Sequence, residues 1–185
     1  QGKMVIIVDD ESRENEGDIA LPAENCSADD INFMATVARG LICAPLDGTI
    51  IDNLELEPMV TKNTESMGTA FTVSVDASVD IESGISAKDR SNTVTKLSNP
   101  NSTKHDFVKP GHIFPLRYQN GGVLVRAGHT EASVDLVKLS GKNPAAVICE
   151  VMNEDGTMAR IDDLKKVSKQ YDLPIVSIED IIAYR

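Results

Sequence analysis

An acidic stretch directly after an apolar run constrains this chain more than any other feature of its sequence. Residues 9–18, DDESRENEGD, place six carboxylates and one arginine in ten positions. Carboxylates at this density raise one another's pKa unless a cation or a hydrogen-bond donor compensates their charge. Each unit of pKa shift corresponds to about 1.4 kcal/mol. The preceding run, Met4–Val8, predicts a strand that ends where the loop begins, and loops at strand ends commonly carry metal and substrate ligands.

A bound divalent cation would balance this charge, and a solvated acidic turn is the alternative. The loop does not follow the EF-hand calcium pattern. If Gly17 were the sixth residue of such a loop, the twelfth would be Ala23, where a bidentate glutamate is required. For magnesium or manganese we expect one or two protein ligands, with the substrate supplying the rest.

Composition narrows the class of protein. The 185 residues and 41% hydrophobic content predict one domain over residues 1–185. Apolar runs are too short for a membrane span, and no signal-like segment opens the chain, so we expect no membrane association. The net charge of −11 and the 4% aromatic content disfavour nucleic-acid binding. Three cysteines without C-x-x-C spacing favour a reducing compartment, which indicates the cytoplasm.

The order of elements predicts an α/β (α+β) fold, a mixed β-sheet covered by helices. The acidic loop should join Met4–Val8 to a second strand that begins at Asp18. Alternation predicts a strand over Phe71–Val75. Ser86 and Asp89 have capping-box spacing, and the amide-rich start of their helix could hold a phosphate.

Two residues are candidates for proton transfer. His112 follows Pro110–Gly111, which predicts a turn, and precedes an apolar run. A histidine there can act as acid or base near neutral pH, although a purely structural histidine fits equally. Glu150 interrupts the apolar strand 145–152, and a glutamate is seldom buried without a partner. The alternative places Glu150 facing outward on an edge strand.

A third cluster, residues 126–130 (RAGHT), precedes a predicted helix. Its arginine, glycine amide and threonine hydroxyl would surround the helix N-terminus, which favours anions. His129 should stay neutral enough there to bind a metal, because the positive helix end disfavours the imidazolium.

The acidic stretch resembles the signature of the 3,4-dihydroxy-2-butanone 4-phosphate synthases, enzymes of riboflavin biosynthesis. Three further stretches match that family in order: 83–90 (SGISAKDR), 110–116 (PGHIFPL) and 126–132 (RAGHTEA). The resemblance runs from about Val5 to Arg185. It implies a magnesium-dependent or manganese-dependent lyase without an organic cofactor. Such an enzyme converts D-ribulose 5-phosphate to L-3,4-dihydroxy-2-butanone 4-phosphate and formate, with the metal stabilising an enediolate.

The resemblance also assigns roles by matching position. It implies Glu14 and His129 as metal ligands that also contact the substrate, and Arg13 and Asp18 as contacts to the sugar. The other substrate-binding positions, mostly for the phosphate end, are Arg126, Ala127, Gly128, Thr130 and Glu150. The proton-transfer candidates are His112 and Glu150, followed by Glu16, Cys43 and Glu131.

The family further implies a homodimer with its sites at the interface. This sequence departs from the family pattern in having Ser83 where threonine is frequent, which keeps the hydroxyl. It also opens at Gln1-Gly2-Lys3 without the leading helix common in the family. No cysteine-rich zinc segment precedes Arg185, so we expect the cyclohydrolase fused to some relatives to be absent. Two rival functions stay open: a binding module for phosphosugars or metals that turns nothing over, and a phosphopentose isomerase, which would release no formate.

Overall fold

Seven strands form one mixed sheet in residues 3–185, the part of the chain that this computed structural model describes. Gln1 and Gly2, where the departure at the start of the chain was noted, lie outside the described residues. The strands are β1 (Val5–Val8), β2 (Gly17–Pro22), β3 (Cys43–Leu46), β4 (Val75–Ala77), β5 (Phe107–Arg117), β6 (Ala146–Glu150) and β7 (Ile175–Ser177). The helices are α1 (Ala28–Phe33), α2 (Gly48–Asn53), α3 (Ala87–Ser98), α4 (His129–Leu139), α5 (Ile161–Tyr171) and α6 (Ile178–Tyr184).

The sheet has the strand order β4-β5-β3-β6-β2-β1-β7. Strand β1 pairs antiparallel with β2 and parallel with β7, while β3 pairs parallel with β5. Strand β6 lies between β3 and β2 and is antiparallel to both. The predicted mixed sheet is therefore confirmed, and β6 is a central strand.

Helices cover both faces of the sheet. On one face, Ile19 of β2 packs in a core with side chains of α1, α2, α3 and α5, such as Leu97 and Leu164. On the other face, Ala20 of β2 packs with α4 and α6 around Ala132 and Ile181. Within residues 3–185, every helix is too short or too polar to cross a bilayer.

The acidic loop joins β1 to β2 as a hairpin, as predicted. Val8 at the end of β1 pairs with Gly17 at the start of β2, and Ile7 pairs with Asp18. The alternation of β2 turns Asp18 toward the same face as Ala20, because side chains two residues apart share a face. This is the face that α4 covers.

Two local predictions were wrong. The strand expected over Phe71–Val75 forms only at its end, because Phe71 and Thr72 make isolated bridges and regular pairing begins at Val75. The turn expected at Pro110–Gly111 is absent from this described segment, since both residues lie inside β5. A Cβ at Gly111 would overlap the backbone of Val75, so the glycine permits a close approach of two strands.

The capping box expected at α3 is half correct. The Ser86 hydroxyl accepts a hydrogen bond from the Asp89 amide at 3.0 Å. The Asp89 carboxylate instead accepts hydrogen bonds from the amides of Glu82, Ser83 and Gly84, at 3.3, 3.1 and 3.0 Å. The carboxylate therefore holds the loop before α3 and does not accept the hydrogen bond from the Ser86 amide that a capping box requires.

Candidate active site

The acidic loop and the first residue of α4 meet in one cluster. Oε2 of Glu14 lies 3.6 Å from Nδ1 of His129. Asp9, Glu14 and His129 each offer one ligand atom, and these atoms lie within 4.8 Å of one another. The β1–β2 hairpin supplies the two carboxylates and α4 supplies the imidazole, so residues far apart in sequence form one potential metal centre.

Internal hydrogen bonds hold the acidic loop in place. The Asp9 carboxylate accepts from the Arg13 guanidinium at 2.9 Å and from the amides of Glu14 and Glu16 at 3.1 and 2.9 Å. The Arg160 guanidinium, at the start of α5, donates to the carbonyl oxygens of Glu14 (2.8 Å) and Asn15. The loop is thus an ordered frame for its carboxylates, which disfavours the solvated-turn alternative.

Asp18 and Glu150 lie side by side on neighbouring strands. They are register partners between β2 and β6, and both face α4. Oε2 of Glu150 accepts a hydrogen bond from the Leu41 amide at 2.8 Å. The edge-strand alternative for Glu150 is wrong because β6 is central. A Cβ at Gly40 would lie 2.5 Å from Oε2 of Glu150, so Gly40 allows this carboxylate its position.

Two buried polar atoms, one in this cluster and one beside it, have no hydrogen-bond partner within the described residues. They are Oδ1 of Asp18 and Nε2 of His129. Leaving such an atom unpaired costs about 1–3 kcal/mol, which folded proteins generally avoid. Both side chains lie where a ligand could satisfy these atoms.

The carboxylates perturb the acid–base properties of the site. Burial lowers the pKa of His129, but the nearby charges of Asp18, Glu14 and Asp9 outweigh burial and raise this pKa to about 9. The expectation of a neutral imidazole was wrong for the metal-free protein, because these carboxylates act more strongly than the helix end. A metal ion would have to displace the proton.

The carboxylates themselves divide into two groups. Burial raises the pKa of Asp18, the His129 charge opposes this effect, and the charges of Glu150, Glu14 and Glu16 raise the pKa further. Burial and the Glu14 charge also raise the pKa of Glu16. The His129 contact lowers the pKa of Glu14, and the Arg13 charge adds to that effect against burial. Glu14 is therefore the anionic member beside the imidazole.

Cys43 lies on β3 and pairs with Ile148 of β6, which is two residues before Glu150 on the same strand. Burial raises the pKa of its thiol, and the charges of Glu150 and Asp18 raise it further. The thiol is therefore protonated, and it adjoins the cluster as a small uncharged group.

Arg126 is tied to its own segment and to a distant loop. Its guanidinium donates to Oε2 of the buried Glu131 at 2.6 Å, to the Met67 carbonyl at 3.2 Å and to the Thr69 hydroxyl at 3.1 Å. Ala127 and Gly128 follow, and Gly128 caps α4 without a side-chain hydrogen bond. Thr130 is buried in the first turn. The segment 126–130 therefore reaches the cluster through His129.

His112 contacts a different group of residues. Its Nδ1 lies 2.7 Å from Oδ2 of Asp76 on β4, and its amide donates to Oδ1 of Asp76 at 2.9 Å. The His112 side chain is 41% exposed. The cluster of Asp9, Glu14 and His129 does not include His112.

Sequence reasoning missed three residues that organise these groups: Asp9, Arg160 and Asp76. Asp9 was read only as one acidic residue among several. Arg160 carries no local signal. Asp76 could have been noticed, because it is a carboxylate within an apolar, alternating segment, the same argument that identified Glu150.

Comparisons with known proteins agree with this arrangement. The family model described as 3,4-dihydroxy-2-butanone 4-phosphate synthase matches residues 1–184. The riboflavin biosynthesis protein RibBA of Bacillus mycoides (strain KBAB4) is 57% identical over 185 residues, which are 100% of this chain and 46% of that protein. RibBA of Bacillus cytotoxicus is 56% identical over the same extent. The chain thus spans about half the length of the curated relatives it matches.

Solved structures give the same result. A two-domain 3,4-dihydroxy-2-butanone 4-phosphate synthase from A. baumannii, RibBX, superposes with a TM-score of 0.96 at 47% identity, covering 100% of this chain and 54% of that one. A 3,4-dihydroxy-2-butanone 4-phosphate synthase in complex with two magnesium ions superposes with a TM-score of 0.94 at 42% identity. That alignment covers 99% of this chain and 90% of the other.

Proposed function

The chain belongs to the 3,4-dihydroxy-2-butanone 4-phosphate synthase family, and we propose that it converts D-ribulose 5-phosphate to L-3,4-dihydroxy-2-butanone 4-phosphate and formate. It acts as a divalent-metal-dependent lyase, with magnesium or manganese and without an organic cofactor. Residues 1–185 form the domain that carries this activity.

The contact between Glu14 and His129 carries the proposal. Two buried atoms beside it, Nε2 of His129 and Oδ1 of Asp18, have no partner within residues 3–185. Carboxylate oxygens suit magnesium or manganese, and a single imidazole can accompany them when water and substrate oxygens supply the rest of the coordination. The residues fit such an ion, and Glu14 and His129 would hold it. When bound, the metal supplies positive charge opposite the oxygen that becomes negative as a carbon-bound proton leaves.

The surrounding side chains bind the phosphosugar. Arg13 in the acidic loop and Asp18 at the start of β2 contact its hydroxyl groups. The phosphate end lies at the start of α4, where Arg126, Ala127, Gly128 and Thr130 surround amides that lack a side-chain cap. The chain is acidic overall, so this local excess of donors is what makes phosphate binding favourable.

Glu150 and His112 transfer protons, and the secondary candidates are Glu16, Cys43 and Glu131. Glu150 is held toward the cluster by the Leu41 amide. Of the secondary candidates, Glu16 has a raised pKa and Cys43 a protonated thiol, whereas Glu131 is engaged by Arg126.

His112 reaches the substrate across the interface of a homodimer. The support is that its side chain is partly exposed and contacts Asp76 rather than the cluster of the same chain. The enzyme acts in the cytoplasm, where its three unpaired cysteines, all within the described residues, stay reduced.

One incubation tests the function. With ribulose 5-phosphate and magnesium, and without nucleotide, flavin or thiamine, the protein should release one formate per substrate consumed, and EDTA should stop the release. A ¹³C label at the fourth sugar carbon should appear in formate. Label kept in a five-carbon product would identify an isomerase, and saturable binding without product would identify a binding module.

Glu150→Gln separates the enzyme from the binding module. It removes a proton-transfer group while keeping size and most hydrogen bonds. Under the proposed function turnover should be lost while ligand affinity falls far less, whereas a binding module would show no turnover in the wild type or in the variant.

A further inference from the structure

His112 and Asp76 form a pair held by two hydrogen bonds. One oxygen of Asp76 lies 2.7 Å from the ring nitrogen Nδ1 of His112, and the other accepts from the His112 backbone amide at 2.9 Å. Asp76 is only 5% exposed, whereas the His112 side chain is 41% exposed. The carboxylate is thus fixed at the base of the imidazole, and the rest of the ring faces outward.

The loop before α3 supports this pair from behind. A Cβ at Gly84 would lie 2.6 Å from Nδ1 of His112 and would overlap the Asp76 carboxylate, so only a glycine fits. Asp89 holds that loop by accepting hydrogen bonds from the amides of Ser83 and Gly84 at 3.1 and 3.0 Å. The stretch 83–90 therefore buttresses the pair, a role that its sequence did not indicate.

The chemistry of a carboxylate determines which ring nitrogen is free. An ionised carboxylate only accepts hydrogen bonds, so Nδ1 of His112 must carry a hydrogen and donate it. In the neutral ring Nε2 then keeps its lone pair, directed away from Asp76. A lone pair at that position can form an N–H bond as a substrate bond to hydrogen breaks, with the bonding electrons staying on the substrate.

We propose that Asp76 is a positioning residue that fixes the ring orientation and tautomer of His112, with the loop through Gly84 as its support. This inference rests on the proposed function, in which His112 transfers protons.

Asp76→Asn in the full chain tests the proposal. The asparagine oxygen still accepts from the His112 amide, but its NH₂ group faces Nδ1 and donates to it. The hydrogen therefore moves to Nε2, and the outward nitrogen becomes a donor. We expect kcat to fall about 100-fold or more with KM changed less than about threefold, as for loss of a general base. ¹⁵N NMR of the imidazole should show Nδ1–H in the wild type and Nε2–H in the variant. His112→Gln identifies the His112 signals by their absence.

Asp80→Asn is the matched control, because it makes the same charge change at an exposed residue of the same segment. Asp80 has a φ of 60°, which asparagine adopts readily. It should leave both kcat and the tautomer unchanged. A wild-type ring carrying its hydrogen on Nε2 would overturn the proposal, and so would an Asp76→Asn protein with wild-type kcat. The wild-type spectrum decides the first point even if the variant fails to fold. A wild type that releases no formate would instead overturn the proposed function.

Discussion

Asp18 and Asp135 are equally buried carboxylates in opposite circumstances. Asp135, on α4, is 2% exposed and accepts from the Tyr118 hydroxyl at 2.8 Å, the Val123 amide at 2.9 Å and the Arg185 guanidinium at 2.6 Å. Asp18, on β2, is 3% exposed, and one of its oxygens has no partner in residues 3–185. Both side chains lie on the face of the sheet that α4 covers.

The two carboxylates differ in how completely they are hydrogen-bonded, and this difference indicates different roles. A buried charge with three donors holds elements together, here α4, the segment before it and α6. A buried charge without enough donors destabilises the fold and is found mainly where a ligand or reaction requires it. Burial alone therefore does not distinguish the two carboxylates, whereas incomplete hydrogen bonding singles out Asp18 as the candidate for a functional role.

The largest effect should come from the cluster beside Asp18. Glu14→Gln and His129→Ala should each reduce magnesium-dependent formate release on the order of 10³-fold, because each removes one of two ligands of one ion. The measurement is kcat/KM against magnesium concentration, with circular dichroism as the check on folding. Wild-type activity and metal dependence in either variant would refute the metal assignment.

The next largest effect should come from Asp135, the buried carboxylate whose hydrogen bonds are complete. Asp135→Ala should lower the free energy of unfolding by about 3 kcal/mol, because it leaves the Arg185 charge and the buried Tyr118 hydroxyl without their partner. Urea unfolding measures this loss, and kcat of the folded fraction should change little. A large fall in kcat at unchanged stability would remove the distinction between the two carboxylates.

Arg126→Lys should have a smaller effect, about a tenfold rise in KM for ribulose 5-phosphate. A lysine ammonium keeps the charge but cannot reproduce the two parallel hydrogen bonds of a guanidinium to phosphate. Steady-state kinetics at saturating magnesium test this expectation. Arg117→Lys is a suitable control, since Arg117 pairs with Asp52 on the surface. An unchanged KM would take Arg126 out of the phosphate site.

The smallest effect should be an increase in stability. Without metal, Asp18→Asn should raise the free energy of unfolding by about 1 kcal/mol near pH 8, because the cost of burying the Asp18 charge exceeds its attraction to the His129 imidazolium. The folded-state pKa of Asp18 is raised, so its destabilising contribution grows as pH increases above the unfolded value. The gain should therefore vanish toward pH 4, which urea unfolding at several pH values can show. A gain independent of pH would exclude ionisation as its cause.

Local features were predictable from the sequence, and contacts between distant segments were not. The hairpin that carries the acidic loop depends on adjacent residues, and it was predicted correctly. The ionisation of His129 was predicted from its helix end alone, whereas carboxylates from the distant hairpin determine it. Likewise, the partner of His112 lies 36 positions away on another strand, which no local pattern encodes.

The bonds of Arg126 have an energetic consequence for substrate affinity. Its guanidinium has five N–H groups, and Glu131, the Met67 carbonyl and the Thr69 hydroxyl already accept from it. The Met67 carbonyl accepts from both Nε and Nη2, so four of the five N–H groups are engaged, three of them with the loop ending at Thr69. A phosphate that binds Arg126 through two N–H groups and leaves the bond to Glu131 intact must therefore take at least one from this loop. Measured affinity then includes the free energy of detaching this exposed loop, so binding and loop release are thermodynamically linked. Saturation with inorganic phosphate should accordingly accelerate amide hydrogen exchange at residues 65–69, where the backbone otherwise folds around Glu65.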